Sequence, residues 1–169
     1  SKKVLCWFLR PRLISNDKAS KLEALRHGLK ESEKKLKKKF DVICDLDVTA
    51  PLRNIKDIRT AFKIFIREKY NILFSVTEAK KNPYFNMIEL VGKDVKLIKK
   101  IKKEIVSRQQ APKVYEMNAS IYFWKRKSLL NKRNLFGKNT GIYEMPRERS
   151  IDIDDPLDLK LVKYLLKNT

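Results

Sequence analysis

Apolar residues in this chain fall into short runs at two different spacings, and the two kinds of run alternate. Residues 4–9, Val-Leu-Cys-Trp-Phe-Leu, are unbroken apolar sequence closed by Arg10-Pro11-Arg12, which predicts a buried strand ending in a loop. Over residues 19–39, Leu22, Leu25, Leu29 and Leu36 recur at helical spacing with charge between them, predicting an amphipathic helix capped by Asp17 or Ser20. A second buried strand is expected at 40–47, a helix at 55–69 with Ile55, Ile58, Phe62 and Phe65 on one face, and a third strand at 72–77. Beyond Asn82-Pro83 the pattern is less regular. A short strand is expected at 86–91, and Leu97, Ile98, Ile101 and Ile105 space as a helix over 95–105. Strands at 119–124 and 140–145 follow, with a short helix at 125–130 between them. The last helix is Pro156–Lys167, with Leu157, Leu161, Tyr164 and Leu165 as its apolar stripe. Strands alternating with helices predict one α/β domain over residues 1–169, built on a three-layer, mostly parallel sheet with right-handed crossovers.

Composition narrows the class. At 169 residues and 43% hydrophobic, the chain can bury a core of its own, and no run of eighteen apolar residues or signal-peptide pattern points to a membrane or to secretion. Cys6 and Cys44 each sit inside an apolar run rather than at metal-ligand spacing, which reads as buried free thiols in a cytoplasmic protein. A net charge of +20, from 40 Lys+Arg against 20 Asp+Glu, invites a polyanionic partner. Much of it, however, is lysine on what read as outer helix faces, such as 34–39 and 99–103. Arginine forks, not lysine stems, read bases and grip phosphates bidentately, so nucleic acid is not the expected partner. His27 is the only histidine, and a helix position with no visible partner favours a structural role.

The densest candidate chemistry lies in 150–159, Ser-Ile-Asp-Ile-Asp-Asp-Pro-Leu-Asp-Leu. If 151–154 is extended, Asp152 and Asp154 share a face about one pleat repeat, roughly 6 to 7 Å, apart. Asp155 then reads as a helix N-cap, Pro156 as the first helical residue, and Asp158 as the acid in the first turn. Two carboxylates at a rigid corner suit Mg²⁺, which takes one or two protein carboxylates and completes its shell with water and phosphate. Solvated turn and cap residues would give the same sequence.

Four ordered pieces resemble the acylneuraminate cytidylyltransferase family. They are Leu9-Arg10-Pro11 with Asn16-Asp17-Lys18-Ala19-Ser20, then Asp47-Val48-Thr49-Ala50-Pro51-Leu52-Arg53, then Arg108-Gln109-Gln110-Ala111-Pro112 with Tyr115-Glu116-Met117-Asn118-Ala119-Ser120-Ile121-Tyr122, and finally Ser150-Ile151-Asp152-Ile153-Asp154 with Asp158. The resemblance implies a nucleotide-diphospho-sugar transferase (Rossmann-like) fold. It also implies a reaction in which CTP and an acidic nine-carbon sugar of the sialic type give a CMP-sugar and pyrophosphate in a homodimeric enzyme. Asp152 and Asp154 would then hold Mg²⁺ against the triphosphate. Arg108 and Gln109 would grip the sugar acid, with Asn118 and Tyr122 in the same pocket. Arg10 would approach the nucleotide, and Asp47, Thr49 and Arg53 would shape the loop between the substrates.

The departures are specific. The family's opening Ala-Arg-x-x-Ser-Lys-Gly loop has no counterpart here, so the resemblance implies an N-terminally truncated version in which Ser1 aligns just ahead of the family's third strand. Either further polypeptide supplies that segment or the chain closes the gap by pairing its flanking strands directly, and in the second case, without those phosphate donors, it is not expected to turn over CTP unaided. Asp47 replaces a Gln, Glu116 an Arg and Ala119 a Gly, which implies a different sugar acid or lost activity. Two alternatives stay open: a cytidylyltransferase for the eight-carbon acid Kdo, and a non-catalytic remnant that binds anionic polymers through its lysines.

Overall fold

The computed structural model describes residues 7–12, 20–102, 105–131 and 134–168. Helix α1 is Lys21–Leu36, and it starts where Ser20 accepts a hydrogen bond from the Leu22 N–H at 3.2 Å. Asp17, the other cap candidate, lies outside the described residues. Strand β1 is Val42–Leu46, and helix α2 is Ile55–Arg67, opened by a reciprocal cap between Asn54 and Asp57. Strand β2 is Ile72–Glu78, and six of its seven residues are buried. A hairpin of β3 (Ile88–Val91) and β4 (Asp94–Leu97) follows. Then come β5 (Tyr115–Lys125), α3 (Arg126–Asn131), β6 (Thr140–Glu144) and α4 (Pro156–Lys167).

Among the described residues the main sheet has four strands in the order β1-β5-β2-β6. It is mixed rather than mostly parallel: β5 runs antiparallel to both β1 and β2, while β2 and β6 are parallel. The physical reason lies in the connection between β2 and β5. A parallel neighbour needs a crossover, usually helical. The helix expected at 95–105 is instead strand β4 followed by irregular backbone, with 103 and 104 outside the described residues. Gly92, at φ 66°, heads the two-residue loop that pairs Val91 with Asp94 and closes the hairpin. The chain therefore returns to the sheet from the far end.

Side chains alternate across the sheet, and each face has its own core. Ile72, Phe74 and Val76 of β2 and Tyr122 and Trp124 of β5 pack with Leu29 of α1 and Leu129 of α3. Leu73 of β2 and Ile121 and Phe123 of β5 pack with Ala61 and Phe65 of α2 and with Met145. Each large apolar side chain buried this way contributes about 1.5–3 kcal/mol.

Other expectations change at the margins. Residues 7–9 form no strand, Trp7 and Leu9 are exposed, and 4–6, with Cys6, lie outside the described residues. Cys44 is exposed, not buried, because β1 has a hydrogen-bonded neighbour on one side only among the described residues. In α4 the expected stripe faces largely outward, and Val162 is the residue that turns inward. The exposed leucines on that helix have no covering element among the described residues. The parallel strands β1, β2 and β6 all end at one edge of the sheet, and that edge carries the candidate chemistry.

Candidate functional site

Strand β6 leads through Met145 and a 3-10 turn, Arg147–Arg149, into the acidic segment. Residues 151–154 pair with no strand, contrary to expectation, and the segment is held by three tethers instead. Arg149 forks onto Asp57 in the first turn of α2, Nε to Oδ2 and Nη2 to Oδ1, both at 2.9 Å. Ser150 Oγ accepts from Asn118 Nδ2 at 2.9 Å. The Ile153 N–H donates to the Thr49 carbonyl at 2.9 Å. After this segment Asp155 caps α4 by accepting from the Leu157 and Asp158 N–H groups, while Asp158 reaches back to the Asp154 and Asp155 N–H groups.

Asp152 and Asp154 line one cleft of ≈ 630 Å³, together with Thr77, Asn118 and Asp158. Asp154 is exposed, whereas Asp152 is half-buried and its Oδ1 is buried with no hydrogen-bond partner. A buried carboxylate oxygen left open in this way is an acceptor waiting for a donor or a cation. Among the described residues no group of three or more His, Cys, Asp or Glu side chains could hold a metal ion. Two carboxylates on a cleft large enough for a polyphosphate nonetheless fit Mg²⁺, which uses one or two and leaves the remainder to water and phosphate.

Asn118 is buried and fully engaged. Its Oδ1 accepts from Ser75 Oγ at 2.6 Å, and its amide holds Ser150 and touches Met145 Sδ at 3.5 Å. It sits at a bulge in β5, where the pairing with β2 jumps from Phe74↔Tyr122 to Val76↔Met117. The next residue, Ala119, has φ 51°, a left-handed conformation that favours glycine, which is what the family resemblance places there.

The other expected site residues are placed apart from this cleft. Tyr122 does not share a pocket with Asn118, because the bulge sends it to the opposite face, where it is buried in the α1-side core. Lys21 Nζ lies 4.7 Å above the Tyr122 ring and bridges Asp45 Oδ2 at 3.0 Å and Asp47 Oδ2 at 2.7 Å. The contact to Asp45 is an ion pair off the hydrogen-bond direction, so only Asp47 takes a true hydrogen bond. Burial on its own would push the Asp47 carboxyl up, but Lys21 and Thr49 outweigh it and hold it below the usual carboxylate value. Burial raises the Tyr122 phenol; Lys21 opposes that, and Asp45, Asp47 and Asp152 add to it. The charge that Asp47 brings in place of a Gln is thus met by Lys21 at the start of α1.

Arg53 turns its guanidinium onto the backbone carbonyls of Asp47, Ala50 and Ser120, and Thr49 bonds Asp47 Oδ1 at 3.2 Å. Both therefore brace the loop that anchors Ile153. Arg108 and Gln109 lie on an exposed 3-10 turn and line a separate hollow of ≈ 380 Å³ with Glu78, Asn82 and Lys113. Thr77 and Glu78, adjacent in β2, contribute to the two hollows from opposite faces of the strand tip. Arg10 lines another hollow, ≈ 1210 Å³, along α1 and β1. Three residues of the tether system, Asp57, Tyr143 and Arg149, went unnoticed in the sequence, where a reciprocal Asn54/Asp57 cap was the one local signal available.

No family model matches the chain. Among curated proteins it is 41% identical over 161 residues to post-translational flagellin modification protein B of Campylobacter coli, spanning 95% of this chain and 68% of that one. It is 40% identical over 160 residues to the CMP-N,N'-diacetyllegionaminic acid synthase of Campylobacter jejuni, spanning 95% of this chain and 67% of the synthase. An N-acylneuraminate cytidylyltransferase of Escherichia coli is 29% identical over 161 residues, 92% of this chain and 36% of its own length. With four-tenths identity over nearly its whole length, and with the acidic corner and its bracing loop in one place, the chain belongs to the acylneuraminate cytidylyltransferase family, whose members are nucleotidyltransferases.

Proposed function

We propose that this protein activates a nonulosonic, sialic-type sugar acid with CTP, releasing pyrophosphate and forming a CMP-sugar. The observation that carries the reading is the cleft in which Asp152 and Asp154 lie together, with one Asp152 oxygen buried and unpartnered. In this reaction a sugar hydroxyl oxygen bonds to the α-phosphorus, its proton leaves, and the bond from that phosphorus to the departing pyrophosphate breaks. Mg²⁺, when bound, supplies charge neutralisation on the triphosphate, and Asp152 and Asp154 are the residues that would hold it. The tethers hold the backbone that carries that pair, so little reorganisation is needed as charge develops. Arg108 and Gln109, exposed beside the cleft, suit the sugar carboxylate, where a guanidinium fork pairs bidentately. Asp47, with its charge met by Lys21, is left to accept a hydrogen bond from a neutral sugar group. Helices on both faces of the sheet support the nucleotide-diphospho-sugar transferase-type layering, with β5 as its antiparallel member. The exposed Ile88, Leu90 and Val95 of the hairpin support pairing with a second copy.

The experiment is pyrophosphate release from CTP and Mg²⁺ with a panel of sugar acids, on this chain and on its reading frame extended upstream of Ser1. N,N'-diacetyllegionaminic acid, named for the relative at 40% identity, heads the panel, and Kdo closes it. Release with a nine-carbon acid is the expected result. Release from neither version, with salt-dependent nucleic-acid binding by the folded chain, would sink the enzyme reading and leave the basic binding protein.

A further inference from the structure

Asp57 is 1% exposed, and four hydrogen bonds converge on its carboxylate. Oδ2 accepts from Arg149 Nε at 2.9 Å and from the Asn54 N–H at 3.0 Å; Oδ1 accepts from Arg149 Nη2 at 2.9 Å and from the Tyr143 hydroxyl at 3.1 Å. Capping α2 needs only the bond to Asn54. The other three reach the turn that delivers the acidic segment and the strand that precedes it. Burial alone would push the Asp57 carboxyl up, yet these donors hold it below the usual carboxylate value, so it is a charged anchor.

The tethers share one base. Arg149 is tied to Asp57, and Ile153 to Thr49, so both ends of the stretch carrying Asp152 are fixed to the single unit formed by the 47–53 loop and the start of α2. Arg53 stiffens that unit by holding three of its neighbouring carbonyls. From the opposite side, Asn118 holds Ser150. With its ends fixed, the backbone between them has little freedom left in which to move Asp152.

Resting on the function proposed above, we infer that the Arg149–Asp57 pair, with Tyr143 as its third member, is a positioning device that sets Asp152 and Asp154 for a divalent cation and so tunes cation affinity without touching the cation. Neither Arg149 nor Asp57 lines the cleft, although Arg149 lies only three residues before Asp152, and the pair acts only through the clamped segment.

The test is Mn²⁺ binding, followed by the paramagnetic signal of the free ion, on the folded chain and on Arg149→Met, Arg149→Lys, Asp57→Asn, Tyr143→Phe and Asp152→Asn. All titrations are made well below each variant's melting temperature. Asp152→Asn is expected to abolish the site's Mn²⁺ binding. Arg149→Met and Asp57→Asn are expected to weaken it by about tenfold, the range seen when an outer partner of a ligand is lost. Their double variant should be no worse than either single, because the two act as one unit. Tyr143→Phe removes one bond without emptying the anchor, so it remains informative should Asp57→Asn fail to fold, and it is expected to weaken binding by less. Normal Mn²⁺ affinity in Arg149→Met and Tyr143→Phe, with loss in Asp152→Asn, would overturn the inference and leave a merely stabilising cluster. Unchanged affinity in Asp152→Asn would instead overturn the metal reading itself, and the inference with it.

Discussion

The two hollows at the tip of β2 are built in opposite ways. On one side, Asp152 and Asp154 hang from a segment clamped by Asn118 and Asp57, both nearly inaccessible to water. On the other, Arg108 and Gln109 ride an exposed turn whose neighbour Lys113 makes only surface contacts, to Glu144 at 3.1 Å and Glu78 at 3.4 Å. Buried, charge-assisted hydrogen bonds are worth about 1.5–3 kcal/mol and surface pairs about 0–1 kcal/mol, so one side is held firmly and the other is free to adjust. Under the function proposed above, chemistry that needs fixed geometry would use the clamped side, and recognition of the sugar acid would fall to the side that adapts.

The sharpest break between the sides is expected from the aspartates. In an active, full-length context Asp152→Asn or Asp154→Asn should lower turnover by about two orders of magnitude or more and leave the melting temperature nearly unchanged, because a cation ligand is lost without core volume. Turnover at the parent level would reduce the pair to a turn. Next in size, Asn118→Ala should destabilise the fold by about 1–3 kcal/mol in urea unfolding, since it leaves the buried Ser75 hydroxyl without its acceptor and cuts the tether to Ser150. Across the strand tip, Arg108→Ala should weaken sugar-acid binding by about tenfold to a hundredfold, the loss of one charge-assisted contact, with the CTP requirement and the unfolding midpoint unmoved. An effect on CTP alone would transfer Arg108 to the nucleotide side.

The clamped side was legible in the sequence only in part. Asp155, Pro156 and Asp158 are one turn apart, so the start of α4 could be read from local chemistry, and Asp152 and Asp154 could be placed next to it. Strand β2 was equally plain, because apolar residues run through it on both faces. The tethers were not, since Arg149 and Asp57 are 92 positions apart and nothing in either neighbourhood names the other. The mixed sheet escapes the pattern for a related reason: the direction of β5 is set by what lies between it and β2, and Leu97 of β4 spaces with Ile98, Ile101 and Ile105 as in a helix despite the Gly92-Lys93 loop beside the strand. The resemblance grouped Arg108, Asn118 and Tyr122 in one pocket, but the bulge at 118–120 turns Asn118 and Tyr122 to opposite faces, and Arg108 lines a hollow of its own. Bulges leave almost no mark in a strand pattern.

That bulge gives a smaller prediction. Ala119 at φ 51° is strained by about 1–2 kcal/mol relative to glycine, and a glycine there would return part of that as extra freedom in the unfolded chain. Ala119→Gly should therefore stabilise the fold by about 0.5–1 kcal/mol, and it should do so by relaxing the clamp from within. A loss of stability would mean that the alanine methyl packs well enough to outweigh its strain.

The smallest effect should come from pH, and it divides between the two sides by sign. Asp57 titrates below its ordinary value of 3.8, so its contribution to stability is complete above that value and is lost as pH falls through its depressed folded value. Lys113 is raised above its ordinary 10.5, first by its hydrogen bond to Glu144 and against some desolvation, so its contribution is complete below pH 10.5 and fades above it. Unfolding midpoints measured from acid to alkali should show Asp57→Asn flattening the acid limb and Lys113→Met flattening only the alkaline one. The lysine effect should be the lesser and should vanish in molar salt, because Lys113 and Glu144 are each nearly half exposed, Glu78 is more so, and solvent and ions screen them. An alkaline limb that persists in high salt would mean that Lys113 is held as firmly as Arg149, and the two sides of the strand tip would no longer differ in kind.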